Sequence, residues 1–203
     1  MMRIAIVDNG IGNLGNLENY ISRNLGEAPI ISENINSLRG IDLLVLPGVG
    51  NYTALSKRLS GLMGYLEEHL ASGGYVLAIC LGMQILFEES EEGPGRGLGI
   101  FRGRVVRLPS GAGLRVPRIG WSPLRILRRS HPWDNLENSS FYYAHSYYAS
   151  TDTEDIIGVS SHGSIDVPSL IVRGGIVATQ FHPERSGRSG GLFAEALRIY
   201  MRR

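Results

Sequence analysis

Along this chain, short apolar runs alternate with segments whose apolar residues recur every three or four positions. Ile4 to Val7 is an unbroken apolar run ending at Asp8, the pattern of a strand buried on both faces. Leu14, Leu17, Ile21 and Leu25 follow at helical spacing, with Asn13 placed to cap that helix and Gly26 to end it. Pro29 to Ser32 and Asp42 to Leu46 predict a second and a third strand. Leu55, Leu59, Leu62, Leu66 and Leu70 predict one long amphipathic helix closed by Gly73-Gly74. Tyr75 to Ile79 predicts another buried strand, and Ile85-Leu86-Phe87 the start of another helix.

After Gly93 the pattern changes. Ile100 to Leu108, Phe141 to Ala149, Ile156 to Ser160, Ser169 to Arg173 and Ile176 to Phe181 all predict strands, and Gly174-Gly175 predicts a two-residue hairpin between the last two. Leu192 to Met201 predicts a closing helix. Alternating strands and helices build a parallel sheet covered on both faces. The expected architecture is therefore α/β, with a central mostly parallel sheet flanked by helices and extra antiparallel strands. No repeat or linker interrupts the chain, so residues 1–203 are expected to form one domain.

Composition narrows the function. Of 203 residues 43% are hydrophobic, enough for a sizeable core, and a net charge of +1 gives no basic excess for nucleic acid. Lys57 is the only lysine among many arginines, which decides nothing about function. The single cysteine, Cys80, cannot form an internal disulfide and cannot frame a secreted disulfide scaffold. The opening apolar run is too short for a signal peptide, and no run approaches the roughly 20 residues that cross a bilayer. A cytoplasmic location is expected. One cysteine and scattered histidines build no zinc site, so neither metal nor cofactor is expected.

The chemistry centres on Ile79-Cys80-Leu81-Gly82-Met83-Gln84. An apolar strand runs into a cysteine with small residues two before and two after it (Ala78 and Gly82), and a helical pattern follows. That is the context of a nucleophile elbow, where a sharp turn and close backbone demand small neighbours. The following helix would place partial positive charge beside the sulfur, and the Leu81 N–H would face an oxyanion. A free thiol is otherwise most often a buried core residue. Gln180-Phe181-His182-Pro183-Glu184 supplies a base and an orienting acid at the end of the last strand. Residues just past the carboxyl ends of such strands share one sheet edge, so Cys80 and His182 can meet. Leu46-Pro47-Gly48-Val49-Gly50 lies on that edge too, as a second oxyanion element or a plain turn. His69 lies on a helix, His131 and His162 in polar loops, and His145 within a strand, with a structural or substrate-contacting role. Gly10-Ile11-Gly12-Asn13-Leu14-Gly15 matches a dinucleotide fingerprint in outline, with Glu33 beyond it. Asp8 and Asn9 loosen its turn, however, and Gly15 falls inside the helix.

Together with Asp8 to Leu14, Val116 to Trp121 and Tyr143 to Tyr147, these segments resemble the class I, triad-type glutamine amidotransferases across nearly the whole chain. They are most similar to the glutaminase subunits of imidazole glycerol phosphate synthases. The resemblance implies a flavodoxin-like fold and a Cys80–His182–Glu184 triad that hydrolyses glutamine to glutamate and ammonia. It implies an oxyanion hole from backbone N–H groups of Val49 or Gly50 and of Leu81. It implies glutamine contacts from Gln84, His145, Ser146 and Tyr147. It also implies a heterodimer with a barrel cyclase subunit of histidine biosynthesis, met by Asn13, Trp121, Tyr142 and Arg185. Ala78, Asn9, Arg118, Ser122 and Arg185 depart from the family pattern, the last three in partner-side segments. A glutaminase serving aminodeoxychorismate, anthranilate or pyridoxal phosphate synthesis, a non-catalytic regulatory subunit and a general cysteine hydrolase are the alternatives.

Overall fold

A computed structural model of the chain describes residues 2–8, 10, 14–34, 38–48, 50–59, 61–111 and 113–202. The chain runs β1 (Ile4–Val7), α1 (Gly15–Leu25), β2 (Ile30–Ser32), β3 (Leu43–Leu46), α2 (Tyr52–Arg58), α3 (Leu62–Ala71), β4 (Tyr75–Ile79) and a single turn, α4 (Leu81–Gln84). It continues through β5 (Glu89–Ser90), β6 (Arg104–Arg107), β7 (Arg118–Pro123), β8 (Arg125–Ile126), β9 (Ser140–His145) and β10 (Tyr147–Ser150). The last elements are β11 (Ile156–His162), β12 (Ile165–Arg173), β13 (Ile176–Thr179) and α5 (Gly187–Tyr200).

An eight-stranded sheet in the order β2-β1-β3-β4-β13-β12-β11-β8 organises the fold. Its first five strands are mutually parallel, and β12, β11 and β8 extend it antiparallel. Period-two alternation explains why the parallel strands are apolar throughout. Ile4, Ile6, Leu43, Val45, Leu77 and Ile79 pack with Leu17, Ile21, Phe193 and Leu197 of α1 and α5. Ala5, Leu44, Leu46, Val76 and Ala78 pack on the opposite face with Leu55, Leu62, Leu66, Phe87 and Phe101. Burying one such large side chain contributes about 1.5–3 kcal/mol, so the two layers hold the sheet more than helix propensity does. Two small sheets, β10-β6-β5 and β7-β9, complete this single-domain α/β fold.

Several boundaries differ from the sequence expectation. The expected long helix is two, because α2 is capped at Leu59 and Gly61 caps α3. Glycine costs about 1 kcal/mol in a helix interior, and the break leaves both Leu59 and Leu62 buried. The helix expected from Ile85 does not form. The carbonyls of Ile85, Leu86 and Phe87 instead accept from the N–H groups of Leu98, Phe101 and Gly99, and all three side chains are fully buried. The expected strand from Phe141 to Ala149 is two, parting at Ser146: β9 pairs with β7, and β10 pairs with β6. His162 is not in a polar loop; it ends β11, buried, with Nε2 3.2 Å from the Pro109 carbonyl. The hairpin at Gly174-Gly175 forms as expected, with Arg173 opposite Ile176.

Candidate active site

Because β3, β4 and β13 are adjacent and parallel, the segments after Leu46, Ile79 and Thr179 emerge together at one edge of the sheet. Cys80 stands there with φ 51° and ψ −108°, a region that costs a non-glycine residue on the order of 1–3 kcal/mol. Its backbone is fixed on both sides: the N–H donates to Thr179 O at 2.6 Å, and the C=O accepts from Gln84 N at 3.0 Å. The expected elbow is therefore present, although its helix, α4, is one turn long. The need for small neighbours has a physical origin. A Cβ on Gly82 would stand 2.2 Å from the Leu46 carbonyl oxygen, so the ends of β3 and β4 touch. Ala78, paired with Leu46 and Ala178, is fully buried and its methyl fits.

His182 follows β13, with its N–H donating to Tyr142 O at 2.9 Å. Its Nδ1 lies 2.8 Å from Glu184 Oε1, and both side chains are largely buried. Burial works against the imidazolium, yet the Cys80 sulfur and the Glu184 carboxylate outweigh it and raise His182 to about 10. Thus a histidine held by an acid faces the thiol, the arrangement of a nucleophile, a base and an orienting group.

Cys80 and His182 open onto a pocket of about 340 Å³ that also meets Gly48, Gly50, Leu81, Gln84, Glu92, His145, Ser146, Tyr147 and Arg185. Leu81 begins α4, where a backbone N–H has no helical partner, and Gly50 has φ 114°. Val49 and Asn13, expected at the oxyanion hole and the partner face, lie outside the described residues. Gln84 Nε2 donates to Tyr147 O at 2.8 Å and to Gln180 Oε1 at 3.0 Å, which leaves its own oxygen for a ligand. His145 Nδ1 lies 2.8 Å from Tyr147 O, so that nitrogen carries the proton. Burial, aided by Arg118, His182 and His162, lowers His145 to about 3 and keeps it neutral.

Of the residues expected at the partner face, Trp121 and Tyr142 lie outside the pocket, whereas Arg185 lines it. Trp121 is 55% exposed on β7, edge-on to Tyr142 with ring centres 6.0 Å apart, and the Arg185 guanidinium lies 5.4 Å from the Tyr142 ring. Arg118, although in a segment expected to face a partner, is only 8% exposed. It stacks 4.3 Å from the Tyr143 ring and donates to Ser160 Oγ at 2.6 Å, because β7 alternates and Arg118 points inward. Two residues of the site escaped the sequence reading, Glu92 in the pocket lining and Gln180 buried behind Cys80. Glu92 sits in an acidic stretch that reads as solvated surface, and only the fold turns it into the pocket. Burial raises its carboxyl above the usual value, while the Tyr52 N–H works the other way. Gln180, fully buried, donates to Cys80 Sγ at 3.5 Å; a polar residue within an apolar strand run was its only signal. Among the described residues no group of three or more His, Cys, Asp or Glu could hold a metal ion. Nor is any helix among them long and apolar enough to cross a membrane.

Residues 5–197 match the family Glutamine amidotransferase class-I. The chain is 41% identical to the imidazole glycerol phosphate synthase subunit HisH of Geobacillus thermodenitrificans, over 94% of this chain and 92% of that one. It is also 41% identical to the HisH subunit of Pyrococcus furiosus, over 94% and 95% of the two chains. A crystal structure of a glutamine amidotransferase shares the fold at a TM-score of 0.72 and 18% identity, covering 98% of this chain and 96% of that chain. The chain belongs to the class-I glutamine amidotransferases, in the family of imidazole glycerol phosphate synthase HisH subunits.

Proposed function

We propose that this chain is the glutaminase subunit of an imidazole glycerol phosphate synthase, with Cys80, His182 and Glu184 as its triad. The observation that carries the reading is the strained Cys80 elbow with the Glu184-held His182 beside it in one pocket. His182 takes the thiol proton, and Cys80 Sγ bonds to the side-chain amide carbon of glutamine. The carbonyl electron pair moves to oxygen, opposite the N–H of Leu81 and a backbone N–H at Val49 or Gly50. When the carbonyl re-forms, the C–N bond breaks and His182 protonates the leaving nitrogen as ammonia. Water, deprotonated by His182, then cleaves the thioester to glutamate and restores the thiol.

The remaining pocket groups suit an amino acid. Gln84 Oε1 and the 145–147 segment meet the substrate, and the Glu92 carboxylate pairs with its α-ammonium. The ammonia passes to a barrel cyclase subunit and reacts with a phosphoribulosyl formimino intermediate. The products are imidazole glycerol phosphate and an aminoimidazole carboxamide ribotide, on the histidine pathway. Trp121, Tyr142 and Arg185 form the face that docks this partner, together with Asn13.

Glutamate release tests the reading, with the chain alone and mixed with a barrel cyclase subunit carrying its nucleotide ligand. The mixture is expected to be strongly activated and Cys80→Ala to be inactive. Full turnover by Cys80→Ala would overturn the mechanism. An inert mixture whose Cys80 is still labelled by an electrophilic glutamine analogue would overturn the partner and keep the chemistry.

A further inference from the structure

Three amides behind the nucleophile form a chain whose orientation is fixed at one end. The Tyr147 carbonyl can only accept, so the Gln84 atom 2.8 Å from it is the side-chain nitrogen. That same nitrogen lies 3.0 Å from Gln180, which must therefore present its oxygen. The Gln180 NH2 is then left on the other side, 3.5 Å from Cys80 Sγ. Gln180 is fully buried, so no solvent competes for this donor. Its backbone is also held, its N–H donating to Ser169 O at 3.1 Å.

We propose that Gln180 is a further catalytic residue, whose side-chain N–H positions the Cys80 sulfur and stabilises its thiolate for attack. The donor lies one residue past β13, the strand beside the nucleophile's β4, with its backbone still held by β12, and so is preorganised. The other groups facing the sulfur are divided. His182, backed by Glu184, favours the thiolate, whereas the Ala144 carbonyl, 4.0 Å away, accepts only from the thiol. Glu92, His145 and Arg185 line the same pocket. A second N–H on the sulfur tips this balance toward the nucleophilic form. Once the sulfur is acylated it is a poor acceptor, so the bond is strongest before attack.

The proposal rests on Cys80 being the nucleophile, and its test separates the two ideas. The rate of Cys80 alkylation by iodoacetamide is measured against pH in the folded chain and in two variants. Gln180→Met keeps the volume but has no donor and only a weak acceptor. Gln180→Glu keeps an oxygen for Gln84 and turns a carboxylate toward the sulfur, so it serves if the first variant does not fold. Both alkylation profiles are expected to move about one pH unit or more to higher pH. In complex with the cyclase, kcat is expected to fall about 10- to 100-fold with little change in KM, as for a lost hydrogen bond to a charged group. Profiles that superimpose on the wild type, or a defect confined to KM, would overturn the role of Gln180. A wild-type Cys80 that iodoacetamide does not modify would overturn the nucleophile assignment itself.

Discussion

Gly48 lies so close to the nucleophile turn that a Cβ placed on it would stand 1.9 Å from the Ile79 carbonyl oxygen and 2.3 Å from Leu81 N. The end of β3 thus braces the backbone that holds Cys80 in its strained conformation. Gly48→Ala must push that turn away, at about 1–3 kcal/mol of overpacking. It is expected to lower the melting temperature and slow Cys80 alkylation together. Gly26, the αL cap of α1 with nothing within 4 Å of a Cβ, is the contrast: Gly26→Ala should cost about 1–2 kcal/mol and leave alkylation unchanged. Equal alkylation rates in both variants would contradict the bracing role.

Glu92 is the acidic group assigned to the α-ammonium of the substrate. Glu92→Gln is expected to raise KM for glutamine about 10- to 100-fold, the loss expected for a charge-assisted bond, while kcat changes less. Steady-state kinetics of the complex decide it. An unchanged KM would place the ammonium elsewhere.

His145 gives the fold a sensitivity to acid. Its pKa is lowered from 6.5 to about 3 by burial, so below pH 6.5 the unfolded chain binds a proton that the folded chain refuses. Stability from this residue is complete above pH 6.5 and is lost as pH falls toward 3, at up to about 1.4 kcal/mol per pH unit. His145→Asn keeps a donor for Tyr147 O and removes the titration. Urea unfolding between pH 7 and pH 4 is expected to show a smaller loss in the variant. Parallel losses would show that His145 is not the acid-sensitive group.

Trp121, Tyr142 and Arg185 stand on the outward face assigned to the cyclase. Trp121→Ala is expected to weaken the complex by about 2 kcal/mol, roughly 30-fold in Kd, because exposed aromatics are frequent anchors of interfaces. Cys80 alkylation in the free chain should be unaffected. Titration calorimetry with wild-type affinity would remove Trp121 from the docking face.

The amino-acid sequence by itself determined whatever depends on neighbours along the chain. The parallel strands, their two buried faces, the Gly26 stop, the Gly174-Gly175 hairpin and the Cys80 elbow all follow from local period and turn chemistry. So does the His182–Glu184 pair, since two residues of spacing bring the ring and the carboxylate together at 2.8 Å. The tertiary structure decided whatever depends on strand order. The helix expected from Ile85 fails because distant N–H groups of residues 98–101 take its carbonyls. The chain changes sheets at Ser146 because β9 and β10 find different partners, and that crossing delivers His145 and Tyr147 to the pocket. Gln180 meets Cys80 across a hundred residues only because β13 lies beside β4. A periodic pattern records which face of an element is buried. It does not record which other element buries it, and that is where Glu92, Gln180 and the inward turn of Arg118 were settled.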